Sequence, residues 1–238
     1  MALRKAFTYG GVMSADYEIY VLSKDEERTT VKEYDTISVP GKSGDLHIDK
    51  KRFSDIGVTY NCAIPATYAI YAFRELIAII LSKGASQRIE DTIDPEYYRM
   101  GTLVDAVEPR VSRERDLFVF PLRFVCAPQR WLKEGEEATA VASSVQMYNP
   151  TPFTSKPLIH VTGTGTITIG SDVITVGANG GHLIIDCETE DAYDAETLLS
   201  YNDKVTISGN SFPGLAPRTN NIAVTGCTIN IVPRWWTL

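Results

Sequence analysis

Ile56-Gly-Val-Thr-Tyr-Asn-Cys-Ala-Ile-Pro65, with the eighteen residues that follow it, decides the architecture of the first half of this chain. Ile56, Val58, Tyr60, Cys62 and Ile64 alternate with small or polar residues, the period of two that marks a strand with one buried face. Pro65 closes the run. From Ala66 to Lys83 the period changes, and Ile70, Phe73, Ile77, Ile80 and Leu81 recur as they do along one helix face. Gly84, directly after Lys83, supplies the stop. Working outward, further strands are expected at Tyr17–Leu22, Thr30–Val39, Gln87–Ile93, Thr102–Val107 and Leu117–Cys126. Pro121 has no N–H for a ladder, which makes the last of these an edge strand or a bulged one. The expectation is an α+β unit of antiparallel strands with one helix covering a sheet face.

The second half reads as nearly all β. Short apolar runs stand at Leu158–Val161, Thr166–Ile169, Val173–Val176, Leu183–Cys187, Lys204–Ile207, Ile222–Thr225 and Thr228–Val232. Turn clusters separate them: Gly163-Thr-Gly, Gly170-Ser-Asp, Gly177-Ala-Asn-Gly-Gly, Ser208-Gly-Asn-Ser and Thr225-Gly-Cys. Short strands spaced in this way predict a β-sandwich or jelly roll, interrupted by a small helix or turn at Asp191–Ser200. Neither half carries a parallel βαβ pattern.

Charge divides the chain at the same place. The 238 residues carry 23 Lys plus Arg and 30 Asp plus Glu, a net charge of −7. Residues 1–134 hold 19 basic and 20 acidic groups, net −1, and residues 135–238 hold 4 and 10, net −6. We therefore expect two domains, 1–134 and 135–238. An acidic balance argues against tight nucleic-acid binding, which rests on clustered Lys and Arg. No run reaches the ~20 apolar residues of a membrane span, since Ala69 to Leu81 is broken by Arg74 and Glu75. The opening residues lack the apolar core and small-residue cleavage site of a signal peptide, so a soluble, unsecreted chain is expected. Cys62, Cys126, Cys187 and Cys227 are far apart with no CxxC pair, and read as small buried hydrophobes.

Few residues point to chemistry. Pro40-Gly-Lys-Ser lacks the Gly that a phosphate loop needs five positions before Gly41, where Thr36 stands, and no helix follows; it reads as a turn. Gly163-Thr-Gly has no following helix either and reads as a hairpin turn. Asp45, His47 and Asp49 share one strand face, which suits a divalent metal or a plain solvated face with Leu46 and Ile48 packed inward. Asp186, Glu188, Glu190, Asp191 and Asp194 suit calcium, a carboxylate pair for glycoside hydrolysis, or a charged loop. His47, His160 and His182 are isolated, and no Gly-x-Ser-x-Gly elbow occurs. Trp235 and Trp236 are adjacent, so on a strand they point to opposite faces and cannot both fill one core. With Trp131 they are, if exposed, candidates for stacking on sugars or for a protein interface, and, if packed, the end of a core strand.

Val39-Pro-Gly-Lys-Ser-Gly-Asp-Leu-His-Ile with the strand to Tyr60-Asn-Cys, the helix Ala66–Lys83, and Phe124-Val-Cys-Ala-Pro-Gln-Arg-Trp-Leu occur in a telling order. Asn149-Pro-Thr-Pro-Phe-Thr-Ser-Lys-Pro and the ending Pro233-Arg-Trp-Trp complete it. Together they resemble the distal tail proteins (Dit) of long-tailed phages and prophages of Gram-positive bacteria, over essentially the whole chain. The resemblance implies a mainly β protein: an N-terminal α+β ring domain with a β-barrel-like core, one helix and hairpins, then a C-terminal galectin-like β-sandwich. It implies a structural, non-enzymatic role as a hexameric ring hub joining tail tube to baseplate, located at the distal end of the virion tail and made in the host bacterial cytoplasm. The implied partners are five further copies of itself, the tail tube protein, a tail-associated lysin, tail fibre or receptor-binding protein, and the tape measure protein. DNA would only pass through the channel, which a net negative wall would not slow, and no membrane is involved. Neither catalytic, cofactor-binding nor metal residues nor a cofactor are assigned. The alternative is a carbohydrate-binding module that contacts cell-wall glycans through the C-terminal sandwich.

Overall fold

The computed structural model describes residues 5–26, 30–65, 69–106, 110–112, 117–209 and 211–238. The chain divides into two compact units, residues 1–130 with Leu238 and residues 131–237. All strand pairs with a described register are antiparallel.

The first unit contains β1 (Phe7–Tyr9), β2 (Val12–Met13), β3 (Tyr20–Glu26), β4 (Lys32–Ile37), β5 (Leu46–Phe53) and β6 (Ile56–Pro65). Helix α1 (Ala69–Ser82) follows, then β7 (Gln87–Asp91), β8 (Tyr97–Ala106), β9 (Arg110–Ser112) and β10 (Leu117–Cys126). Its main sheet runs β2-β1-β7-β8-β10-β6-β3, with β9 also on β10. The sheet curls back on itself, since the Val21 N–H on β3 donates to the Lys5 carbonyl just before β1, at 2.8 Å. The alternation read in Ile56–Pro65 is realised: Ile56, Val58, Tyr60, Cys62 and Ile64 are buried with Phe7, Tyr9, Phe120, Leu122 and Phe124. Their rings interlock, Phe7 stacking on Tyr60 at 5.2 Å while Phe124 meets both edge-on at 5.8 Å.

Of the two readings of Leu117–Cys126 the bulged one holds, since β10 lies between β8 and β6 in the centre of the sheet and its register with β8 shifts. Pro121 is accommodated because β10 changes partner around it. Val119 pairs with Arg110 of β9 and Leu122 with Ala106 of β8, while the register irregularity falls between Arg123 and Phe124. Along α1, the buried face is Phe73, Leu76 and Ile80, whereas Ile70 and Leu81 are exposed. Phe73 and Phe120 fix the packing angle edge-to-face at 4.9 Å. The expected first turn, at 66–68, and Val107 lie outside the described residues.

The second unit follows β11 (Arg130–Leu132) and contains β12 (Thr139–Val141), β13 (Ser144–Asn149), β14 (Leu158–Ile169), β15 (Asp172–Val176) and β16 (Leu183–Asp186). After these come β17 (Asp191–Asp194), β18 (Val205–Ile207), β19 (Arg218–Val232) and β20 (Trp236–Thr237). The strand order is β12-β19-β14-β15-β18, with β13 also on β19 and β17 on β16, which itself pairs with β14. Ile159, Val161, Ile167, Ile174, Ile229 and Ile231 lie in one apolar core with Val141, Met147, Leu183, Ile185, Leu215 and Trp235.

Gly163-Thr-Gly and Thr225-Gly-Cys are not turns. Each sits inside one long strand, β14 or β19, and the register between those strands shifts between Gly163 and Thr166. Gly163 and Gly226 take φ of 95° and 82°, the conformation of glycine bulges that bend a strand without ending it. Four expected short strands therefore merge into two long bent ones, spanning 12 and 15 residues. Asp191–Ser200 is also revised, since its first four residues form β17. The four cysteines are buried, and burial pushes the Cys62, Cys126 and Cys187 thiols up to about 12, far from reactive thiolates.

Candidate functional site

β4 and β5 form a two-stranded sheet that joins neither core. Their connection is built by Val39-Pro-Gly-Lys: the Lys42 N–H donates to the Val39 carbonyl at 3.1 Å, with Gly41 at φ 80°. Pro at the second position and Gly at the third are what a type II turn requires. The turn reading of Pro40-Gly-Lys-Ser therefore holds.

One face of this hairpin carries the pairs Asp35–Ile48 and Ile37–Leu46. Leu46 and Ile48 do not pack inward as expected; Ile37, Leu46 and Ile48 are 45–46% exposed. The other face carries Tyr34 opposite Asp49 and Thr36 opposite His47. There Lys32 bridges to Asp49 at 3.2 Å, Thr36 Oγ1 meets His47 Nδ1 at 3.3 Å, and Tyr34 stands edge-on to His47. Asp49 also accepts from the Lys51 N–H, and that bond with the Lys32 contact holds its carboxyl below the usual range. The Asp45, His47 and Asp49 pattern is thus a strand face bonded across the ladder, with Asp45 preceding the strand. A lone hairpin of this kind is marginal in water, so an exposed apolar face on one is a surface awaiting cover. α1 adds a second such surface through Ile70, Tyr71 and Leu81, exposed by 46%, 83% and 65%.

Inside the same unit lies a charge cluster that pattern-reading does not disclose. Lys24 of β3 reaches Asp91 at 3.0 Å and Asp94 at 2.8 Å, with its side chain only 10% exposed. Tyr60 donates to Asp91 at 2.7 Å. Arg99 grips Glu26 with both oxygens at 3.3 Å and donates to the Pro128 carbonyl at 3.0 Å. Arg130 stacks on Tyr97 and lies 3.6 Å from Asp94. Lys24, Tyr60, Asp91, Asp94, Arg99 and Arg130 line a cavity of about 20 Å³, room for one water, and Arg99 Nε, a buried donor with no partner among the described residues, belongs to the same cluster. Burial opposes the charge on Asp91, but bonds from Tyr60 and the Asp94 N–H, with the Lys24 charge, hold its carboxyl below the ordinary value. Burial likewise opposes the Lys24 charge and is outweighed by Asp94 and Asp91, so that its pKa is raised.

In the second unit the acidic run has structural employment. Asp186 takes a two-pronged bond from Arg234, at 2.7 and 3.1 Å. Asp194 Oδ1 accepts the Glu196 and Thr197 N–H groups and the Thr197 hydroxyl, pinning the turn after β17. Asp191 bonds Asn202 at 2.7 Å. Among the described residues no three His, Cys, Asp or Glu are placed to hold a metal. His47 belongs to the first unit and His160 and His182 to the second. His182 lies 3.4 Å from Glu196. The two tryptophans part, though not by strand alternation, since β20 begins at Trp236. Trp235 is core, at 3% exposure, and cannot be a stacking platform. Trp236 lies flat on Phe153 at 4.3 Å, and its Nε1 donates to the Thr154 carbonyl at 3.1 Å.

No family model matches the sequence, and no curated protein does. Solved structures do match in fold. The Dit protein of phage SPP1, described as a paradigm of the hub adsorption apparatus in phages infecting Gram-positive bacteria, superposes with a TM-score of 0.73. The match covers 98% of this chain and 99% of that one, at 13% identity. A chain of the phage p2 baseplate in its activated conformation matches at a TM-score of 0.50 and 7% identity, over 96% of this chain and 97% of that one. The chain thus shares the mainly β fold of SPP1 Dit over nearly its whole length.

Proposed function

We propose that this chain is a structural hub protein of a phage tail, assembling as a hexameric ring at the distal end of the tail. The carrying observation is the end-to-end likeness to SPP1 Dit in both units. The β4–β5 hairpin supports it independently. Its exposed Ile37, Leu46 and Ile48 give each copy an apolar surface for a neighbouring copy to cover, and a heterologous contact of that kind closes into a ring when its rotation allows. In this reading residues 1–134 build the ring and residues 135–238, a galectin-like sandwich, face outward. The tail tube and tape measure proteins would meet the ring, and a lysin, fibre or receptor-binding protein would attach peripherally. The protein would act as a scaffold without catalysis.

Light scattering with electron microscopy tests this. The expected result is a particle of six chains with a central channel, and a monomer at high concentration overturns the reading. Leu46→Lys with Ile48→Lys should convert the hexamer to monomers. Because both side chains are already about half exposed in the single chain, the fold itself should lose only about 0.5 kcal/mol.

A further inference from the structure

A cleft of about 300 Å³ opens on the second unit, lined by Glu134, Glu137, Val145, Met147, Tyr148 and Trp235 among others. Val145, Gln146, Met147 and Tyr148 are consecutive in β13 and all line it. Successive side chains of a strand point to opposite faces. Four in a row can therefore border one cleft only where it runs along the edge of the strand. That edge is open: among the described residues β13 pairs with β19 alone, over Ser144–Asn149. An unpaired edge offers a row of N–H and C=O groups to another chain.

The opposite wall is the short turn at Lys133–Glu136 with Glu137. It is held fast. The Arg234 N–H donates to the Gly135 carbonyl at 2.7 Å, the Leu132 N–H to the Trp235 carbonyl at 2.9 Å, and the Glu137 N–H to the Glu134 carbonyl at 3.2 Å. Among the described residues the carboxylates of Glu134 and Glu137 have no partner, while Lys133 and Glu136, beside them, do. The floor is apolar, from Met147 at 8% and Trp235 at 3% exposure, and Tyr148, 64% exposed, stands at the rim. Residues 131–237 carry 5 basic and 11 acidic groups, net −6, so the field at the cleft favours a cation.

We infer that this cleft takes an extended segment of a partner protein, which adds as a strand to β13 and places a Lys or Arg side chain between Glu134 and Glu137. Backbone bonds along the edge supply affinity, and the two carboxylates select the residue. This deepens the hub reading by naming the chemistry of a peripheral partner, and it rests on that reading for the partner's existence. It does not depend on ring closure.

The probe is a fluorescein-labelled, amidated peptide, Ser-Thr-Val-Thr-Lys-Val-Thr-Ser, titrated with the full-length chain while polarisation is read. Saturable binding is expected, weakened at least tenfold when the central Lys is replaced by Glu and lost when alternate amides are N-methylated on the pairing edge. Glu134→Gln with Glu137→Gln should weaken the Lys peptide about threefold to tenfold and leave a norleucine peptide unchanged. Four results overturn the inference: no binding at millimolar chain, equal binding of Lys and Glu peptides, undiminished binding of the N-methylated peptide, or displacement by N-acetylglucosamine oligomers, which would make the cleft a sugar site. Peptide-driven loss of oligomer mass would also overturn it, because a second copy would then be the occupant. Mass is measured on the same samples, so a monomer that binds the peptide refutes the hexamer alone, and a hexamer that ignores it refutes the cleft alone.

Discussion

Gly165→Ala should unfold the second unit at far lower denaturant than the parent chain while leaving the first unit intact. A Cβ added at Gly165 falls deep inside the carbonyl oxygen of Thr225 on the neighbouring strand, with the Thr225 carbonyl carbon and the Cys227 nitrogen also within 3.0 Å. These are backbone atoms of β19, which no rotamer change can move aside. Relief requires β14 and β19 to separate at the point where both bend, and their contact is the most extensive pairing in the unit. Overpacking a well-filled site commonly costs 1–3 kcal/mol; with backbone as the obstacle, about 3 kcal/mol or more is expected. Trp235 and Trp236 belong to this unit, so a Trp131→Phe background makes tryptophan emission a report on its unfolding. An unchanged emission midpoint would refute the tight crossing. Gly170→Ala is the control, since open space surrounds that position. Its φ of 61° should cost only about 1 kcal/mol.

Lys24→Met should have the opposite address, destabilising the first unit by about 3–5 kcal/mol. Removing one member of a buried ion cluster leaves the others uncompensated, and here Asp91, with 5% of its side chain exposed, would keep a charge met among the described residues by Tyr60 and the backbone N–H groups of Ile93 and Asp94. Lys24→Met with Asp91→Asn should recover part of the loss, because the stranded charge is gone. The tyrosine signal in near-ultraviolet circular dichroism should melt early while tryptophan emission does not.

The same cluster sets a pH dependence. The depressed Asp91 carboxyl contributes stability that is complete above its unfolded value, about 3.9. That contribution is lost as pH falls through the lower native value. The raised Lys24 ammonium contributes in the mirror sense, fully present below about 10.4 and lost as pH rises through its native value. The parent first unit should therefore lose stability below about pH 4, and the double variant should lose much less of it there. Identical acid transitions in the two chains would contradict this.

Elements with a strong apolar period were legible in the sequence. Ile56–Pro65 and Leu117–Cys126 occur with the expected bounds, because one face of each is wholly buried. Along α1 the helix was legible and its buried stripe was not. Leu76 was passed over for Ile70 and Leu81, since nearly every position from 69 to 81 is apolar and the period alone does not choose a face. β12, β13 and β17 carried too few apolar residues to register: Thr-Ala-Val, Ser-Val-Gln-Met-Tyr-Asn and Asp-Ala-Tyr-Asp. Glycine misled at 163 and 226, where a local signal for turning was obeyed as a bend within a strand paired on both sides. The sites were the least legible. Lys24, Asp91 and Arg99 come from three strands that meet only in the folded sheet, and Glu134 and Glu137 looked like the composition change of a boundary.

The pairing of β14 with β19 also fixes an order of events during synthesis. Leu158 finds its partner in Val232, and Ile169 in Ile222, so the central ladder of the second unit joins residues more than 50 positions apart. No core can form there until β19 has left the ribosome. The first unit, apart from Leu238, ends at Arg130, so it can fold while the second is still being translated. A nascent chain stalled once residue 160 has emerged should already resist protease within β6, β8 and β10, and one stalled with residue 215 exposed should still be cut within the second unit.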